Sequence, residues 1–322
     1  MKLKNSVVVI TGASSGIGRA TALLLAEKGA NVIAAARNKE ALQSLVDEAG
    51  DAGGAITAYP LDVTDEPAVR RMARSTFDRF GRIDVWVNNA AVMMFGPFEE
   101  APSESFRRVI ETNLFGYVNG ARAVVPLFRE QGEGILINVS SVAGRIGMPF
   151  TGAYDMSKSA IDALTACLRQ ELLDTGIKIC RIEPASIDTP LFQHGANYMG
   201  KAVKPVSPVY PPEIVARAIA SCIERPRRTV IAGNIVRVPV LMRIVAPGFY
   251  ERAATRSVKR SQYLREQATP GEGNLFGQMP GWESASGGWR GSTRRRPLAI
   301  AAGGAGLLAF VVRLALRRRS RR

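Results

Sequence analysis

The stretch "VVVITGASSGIGRATALLLAEKG", residues 7–29, decides the fold. A run of Val and Ile ends in Thr11 and Gly12, and two more glycines, Gly16 and Gly18, open an amphipathic helical pattern. Strand, glycine turn and helix come in that order. In such a unit the glycines let the backbone turn tightly and approach a phosphate, which then sits on the helix N-terminus. The spacing is G-x-x-x-G-x-G rather than G-x-G-x-x-G, so the order of the elements carries the reading more than the glycines themselves.

Outward from this unit the alternation continues. Residues 31–36, 56–61, 83–89, 134–140, 178–184 and 229–233 read as further strands, all but the last apolar over most of their length, as strands of a parallel sheet covered on both faces should be. Helical patterns fall between them at 65–81, 103–132 and 153–176, and 211–225 reads as a helix with Pro at its start. The expected fold is α/β, a doubly wound parallel sheet of about seven strands with a C-terminal apolar/basic helical extension. The expected layout is a dinucleotide-binding catalytic domain over 1–235, the extension over 236–265, a Gly/Ser/Pro-rich linker over 266–293 and an Arg-flanked apolar tail over 294–322.

Formal net charge is +15, but ten arginines and no acidic residue lie from Arg290 onward, which leaves an ordinary +5 for the body. A basic catalytic surface does not follow from these totals. Cys167, Cys180 and Cys222 are odd in number and far apart, and His194 is the single histidine, so neither a disulfide set nor a metal site is expected.

The residues after the second strand select the cofactor. "AAARN", 34–38, has no acid to accept from a ribose 2′-hydroxyl, whereas Arg37 suits a 2′-phosphate. NADP(H) is therefore favoured over NAD(H). At the other end of the domain, Tyr154 and Lys158 lie one helical turn apart on one face, with Ser140 and Ser141 upstream. A nearby ammonium and an oxidised nicotinamide would stabilise a phenolate and lower its pKa from near 10, and a hydroxyl opposite would polarise a carbonyl. That is proton transfer coupled to hydride transfer.

Taken together, Thr11-Gly12-x-x-x-Gly16-x-Gly18, Asn88-Asn89-Ala90, Asn113, Ser141 thirteen residues before Tyr154, and Lys158 resemble the short-chain dehydrogenase/reductase family, over about residues 5–235. "PASIDTP", 184–190, is similar to that family's segment beside the nicotinamide. The resemblance implies a Rossmann-like fold with Tyr154 as general acid/base, Lys158 lowering its pKa and holding the ribose, Ser141 orienting the substrate oxygen, and Asn113 holding a proton-relay water. It leaves Ser140 a bystander. It implies a cofactor lining of Thr11, Gly12, Ser14, Gly16, Ile17, Gly18, Arg37, Asp62, Val63, Asn89, Lys158, Ile187 and Thr189. Ala91, Ala185 and Met156 depart from the family pattern without removing a chemical group.

The loop 191–213, rich in Pro and Gly, is where a pocket would close. Met93, Met148, Phe192 and His194 are the substrate candidates, and they suggest a small apolar alcohol, ketone or aldehyde. Leu298–Leu316 is a 19-residue run with one charge, Arg313. At about 1.5 Å per residue it would barely cross a bilayer, so a spanning anchor and a helix lying on lipid both stand. The expectation is a cytoplasmic catalytic domain held at membrane lipid through 294–322. Nucleic acid is not an expected partner, because the arginines are split by the apolar run and lack interleaved aromatics. Assembly into a homo-oligomer is left open. The competing reading is a membrane-associated NADP-binding scaffold or sensor with little turnover.

Overall fold

In the computed structural model of the chain, residues 1–233, 237–279, 281 and 283–290 are described. The apolar tail 294–322 expected to meet lipid lies outside them. In chain order the elements are β1 (Val7–Thr11), α1 (Gly16–Glu27), β2 (Asn31–Ala36), α2 (Lys39–Ala49), β3 (Ala55–Pro60), α3 (Glu66–Phe80), β4 (Val85–Asn88), β5 (Met94–Phe95), α4 (Ser103–Ile110), a π-helical turn (Glu111–Phe115) and α5 (Gly116–Gln131). They continue with β6 (Glu133–Val139), α6 (Ala143–Ile146), α7 (Gly152–Glu171), β7 (Gly176–Pro184), α8 (Leu191–His194), β8 (Ala196–Asn197), β9 (Lys201–Val203), α9 (Glu213–Glu224), β10 (Thr229–Ala232), α10 (Arg237–Val245), α11 (Pro247–Ser261) and β11 (Tyr263–Gln267).

Seven strands form one parallel sheet in the order β10-β7-β6-β4-β1-β2-β3. Alternate residues of each strand feed opposite faces. Val8 and Ile10 of β1 join Val32, Val85 and Ile135 in a core covered by α1 and α9, whereas Val7 and Val9 join Ile33, Trp86 and Leu136 in a core covered by α3 and α5. That is why the strands read as apolar without alternation. Local capping agrees with the packing: Asn38 and Asp65 accept from the backbone N–H of Ala41 and Ala68 at the starts of α2 and α3, and Gly81 and Gly132 end α3 and α5 in the left-handed conformation.

Strand order reverses between β1 and β4, and ligands of such sheets bind outside the C-terminal strand ends at that point. A buried polar ladder fixes the geometry there. Trp86 Nε1 donates to Asn88 Oδ1 (2.8 Å), Asn88 Nδ2 to Asn138 Oδ1 (3.0 Å) and to Tyr117 O (3.2 Å), and Asn138 Nδ2 to Thr165 Oγ1 (2.9 Å). The ladder ties β4 to β6 and places α5 and α7, the second of which carries Tyr154 and Lys158, against them.

Three features differ from the sequence reading. The helical stretch 103–132 is broken by the π-helical turn at Glu111–Phe115. The loop 191–213 contains α8, β8 and β9, with β8 pairing to β5 and β9 to β11. Residues 266–293, read from composition as linker, belong through Trp289 to the same compact unit as the sheet. Their carbonyls and amides find partners on the domain one by one, which leaves no periodic mark in the sequence. Among the described residues no helix is long and apolar enough to cross a membrane.

Asn138→Ala would leave Asn88 and Thr165 short of partners in a fully buried site and open a small cavity. The expected loss is about 2–4 kcal/mol of unfolding free energy in a urea titration.

Candidate active site

The glycine turn after β1 has no room for side chains. Gly12 has φ +68°, and a Cβ there would lie 2.6 Å from Ala90 Cα; one on Gly18 would lie 2.1 Å from Gly12 O. Thr11 clamps this turn to the end of β4. Its hydroxyl accepts from the N–H groups of Asn89 (3.0 Å) and Ala90 (3.2 Å), while Asn89 Nδ2 donates to the carbonyls of Thr11 (3.0 Å) and Gly12 (3.1 Å). Asn89 and Thr11, expected to line the cofactor, thus spend their polar atoms on holding the crevice open. Gly16 begins α1, with its N–H directed into the crevice. Ile17 packs on the core beneath, and Ser14 uses its carbonyl to hold Arg19.

At the other end of the crevice, Asp62 accepts from Thr64 N (3.0 Å), Thr64 Oγ1 (2.9 Å) and Arg108 Nη2 (2.7 Å). Burial pushes its carboxyl up, but these bonds outweigh it and leave it below the usual range. Val63 is buried against Gly116, and its carbonyl takes Asn119 Nδ2. Arg37 stands beside this cluster with its guanidinium on two backbone carbonyls, Leu275 O (3.1 Å) and Asn274 O (2.5 Å). Ile187 and Thr189 are buried on the segment after β7. Glycine turn, helix N-terminus and Arg37 are what a dinucleotide needs. The oxygens already on Gly16 and Arg37 are peptide carbonyls, standing where phosphate oxygens would accept the same bonds.

The chemical group gathers on α7. Tyr154 and Lys158 are buried. The Ser141 hydroxyl favours the charged form of the phenol, and Lys158 Nζ lies 5.5 Å from the Tyr154 ring centroid. Lys158 donates to Val139 O (3.0 Å) and to Tyr117 OH (3.3 Å). Ser140 donates to Asp162 Oδ1 (2.7 Å), away from Tyr154, so it is structural. Asn113 sits in the π-helical turn, fully buried. Its Oδ1 accepts from Val92 N (2.8 Å), and its Nδ2 donates to Val92 O (2.9 Å) and Ser157 Oγ (3.2 Å). The widened turn lets one side chain join the end of β4 to α7.

Burial pushes the Tyr154 phenol up to about 12, against the Ser141 hydroxyl and together with the charge of Asp155. Burial likewise pulls the Lys158 ammonium down to about 7, opposed by Asp162. Burial thus holds both groups toward their neutral forms in the protein alone, whereas the expected lowering of the phenol invoked Lys158 together with an oxidised nicotinamide. Asp155 is itself raised by burial to about 7, against hydrogen bonds from Met148 N and Thr151.

The substrate candidates separate. Met93 is buried with Phe95, Val109 and Tyr154 in one apolar cluster, against which Phe192 packs. Met148 stands half-buried outside that cluster, its N–H bonded to Asp155. His194 turns its ring to Gly281 O (3.2 Å), and burial lowers its pKa. Tyr117, Arg108 and Asp155 were not singled out from sequence. Tyr117 had a local signal, lying four residues after Asn113, whereas Arg108 and Asp155 had none.

A family model described as "short chain dehydrogenase" matches residues 6–197. The uncharacterized oxidoreductase YxnA of Bacillus subtilis is 37% identical over 96% of this chain and 90% of its own length. The 3-oxoacyl-[acyl-carrier-protein] reductase FabG of Thermotoga maritima is 39% identical over 59% of this chain and 78% of its own. A Burkholderia phymatum short chain dehydrogenase/reductase solved with NAD shares the fold, with TM-score 0.70 and 24% identity over 77% of this chain and 96% of that one. A metagenomic short-chain oxidoreductase solved with NADP has TM-score 0.61 and 28% identity over 72% and 98%. Fold, motif order and these likenesses agree, and the chain belongs to the short-chain dehydrogenase/reductase family of oxidoreductases.

Proposed function

We propose that the protein is an NADP(H)-dependent oxidoreductase that interconverts a hydroxyl and a carbonyl group on a small apolar substrate. The observation that carries this is the buried pair of Tyr154 and Lys158, the ammonium 5.5 Å from the phenol ring, with the half-buried Ser141 hydroxyl acting on the phenol. When bound, the dinucleotide supplies or takes the hydride and, oxidised, places a positive charge near the phenol. Ser141 and the Tyr154 hydroxyl orient the substrate oxygen. Tyr154 gives that oxygen a proton in reduction and removes it in oxidation. Lys158, fixed by Val139 O, stabilises the phenolate whenever it is charged. Arg37 reads the 2′-phosphate, a role supported by its place after β2 and the lack of an acid there.

The apolar cluster that receives Tyr154 supports an apolar alcohol, ketone or aldehyde. A second surface supports contact with anionic lipid. Val238, Leu241, Ile244, Val245 and Phe249 are exposed along α10 and the start of α11, and Arg252, Arg256, Lys259 and Arg260 are exposed next to them. Apolar insertion plus positive charge is the chemistry of a helix lying on a bilayer. On the NADPH reading, this surface would face the cytoplasmic leaflet. Flotation with phosphatidylserine-containing vesicles should recover the protein, and Ile244→Glu with Phe249→Glu should abolish recovery.

An NADPH-oxidation screen against apolar ketones and aldehydes tests the reaction. Tyr154→Phe should lower turnover by roughly 10²–10⁴-fold with NADPH still bound; a variant as fast as wild type would end the assignment. Arg37→Glu should lower the ratio of kcat/KM for NADPH over NADH by about 10–100-fold, through loss of a charge-assisted bond and new repulsion. Because the phenol stands near 12 and oxidation needs its deprotonated form, alcohol oxidation should keep rising with pH toward that value. Carbonyl reduction, which uses the protonated form, should show no such rise.

A further inference from the structure

The crevice beneath the strand ends already holds a segment of this chain. Gly271 exchanges both backbone hydrogen bonds with Asn197, at 2.9 and 3.0 Å. The chain then crosses toward β2. Asn274 N donates to His194 O (2.8 Å), and Gly273, at φ +52°, passes so close that a Cβ would lie 2.2 Å from that carbonyl. Leu275 is fully buried. Its carbonyl takes Arg37 Nη1 (3.1 Å) and Arg108 Nε (3.0 Å), and Asn274 O takes Arg37 Nη2 (2.5 Å). Farther on, Ser284 O accepts from the N–H of Gly16 at the start of α1 (3.0 Å).

The segment ends beside the nicotinamide-side loop. Asp188 accepts from Ser286 Oγ (2.8 Å), Gly287 N (3.0 Å) and Trp289 N (2.9 Å). Trp289 Nε1 donates to Thr189 O and Gln193 Oε1, both at 3.1 Å, and its ring meets Phe192 edge-on at 6.2 Å. The stretches 271–279 and 283–289 thus engage, in one pass, Arg37, the α1 N-terminus and the 187–191 loop.

We propose that this segment is a built-in occupant of the dinucleotide crevice, and that strap and dinucleotide exclude each other. The inference rests on the dinucleotide reading above and adds how that site is controlled. The groups it holds are the ones a dinucleotide uses: a backbone N–H at a helix N-terminus and a guanidinium, each now bonded to a neutral carbonyl oxygen. A phosphate, being charged, makes stronger bonds to both. The strap therefore sets one threshold for every dinucleotide, and a 2′-phosphate on Arg37 helps NADPH to cross it. It weakens every dinucleotide alike, because each binds only the fraction of molecules in which the crevice is open.

Hydrogen exchange on the full-length protein, with and without saturating NADPH, tests this directly. Exchange at the amides of Asn274, Gly287 and Trp289 should speed up when NADPH binds. Protection that is unchanged or increased with NADPH bound would overturn the proposal and leave the dinucleotide reading intact. In parallel, Leu275→Asp and Trp289→Ala in the full chain, each checked for cooperative unfolding, should bind NADPH about tenfold more tightly by fluorescence titration. NADH should tighten by the same factor, so that the preference for NADPH over NADH is unchanged. Weaker or equal binding in both variants would overturn it. If neither wild type nor variants bind any nicotinamide dinucleotide, the cofactor reading fails and the strap proposal fails with it.

Discussion

A cation buried against a phenol is the constraint to which the rest of the site answers. Desolvating the Lys158 ammonium is costly, and burial draws its pKa to about 7 even against the charge of Asp162. The chain provides for it with an uncharged set: the carbonyl at the end of β6, the Tyr117 hydroxyl on α5 and the π faces of Tyr117 and Tyr154. Asp162 adds its charge from one turn along α7. The providers come from β6, α5 and α7. The ladder of Trp86, Asn88, Asn138 and Thr165 is what makes those elements meet at one depth.

The asymmetry of the site follows from the same burial. Both members of the pair are held in their neutral forms more firmly than in water, Tyr154 at about 12 and Lys158 at about 7. The protein supplies a proton donor that stays protonated across the physiological range. On the proposed reading, the charge of whatever occupies the crevice adds to Ser141 and Lys158 in favouring the phenolate, which ties proton transfer to the state of the bound partner.

The parts of this arrangement that were legible in the sequence are the local ones. The glycine turn is dictated by steric limits within a few residues, and Tyr154 and Lys158 share a helix face by spacing alone. The strands were legible because both faces are covered. The π-helical turn was not, since it differs from an α-helix by one residue of register and carries no composition of its own. Arg108 and Asp155 act through partners 46 and seven residues away, and nothing in their own neighbourhoods distinguishes them from surface charges. The segment 266–293 misled for the opposite reason. Gly, Ser and Pro report an irregular backbone, and an irregular backbone is free in one protein and pinned residue by residue in another.

The strap changes what a ligand's arrival looks like thermodynamically. A dinucleotide entering an open crevice adds its contacts to the folded state and raises the melting temperature by an amount that reports affinity. Here the newcomer first displaces Leu275 from full burial and frees the carbonyls on Arg37 and Gly16. Apolar area is exposed while other area is covered, so the heat-capacity change on binding is muted, and part of the expected thermal stabilisation is cancelled. Thermal-shift screening would rank ligands of this protein by the excess over its own tail, and would pass over weak ones that an assay of turnover detects.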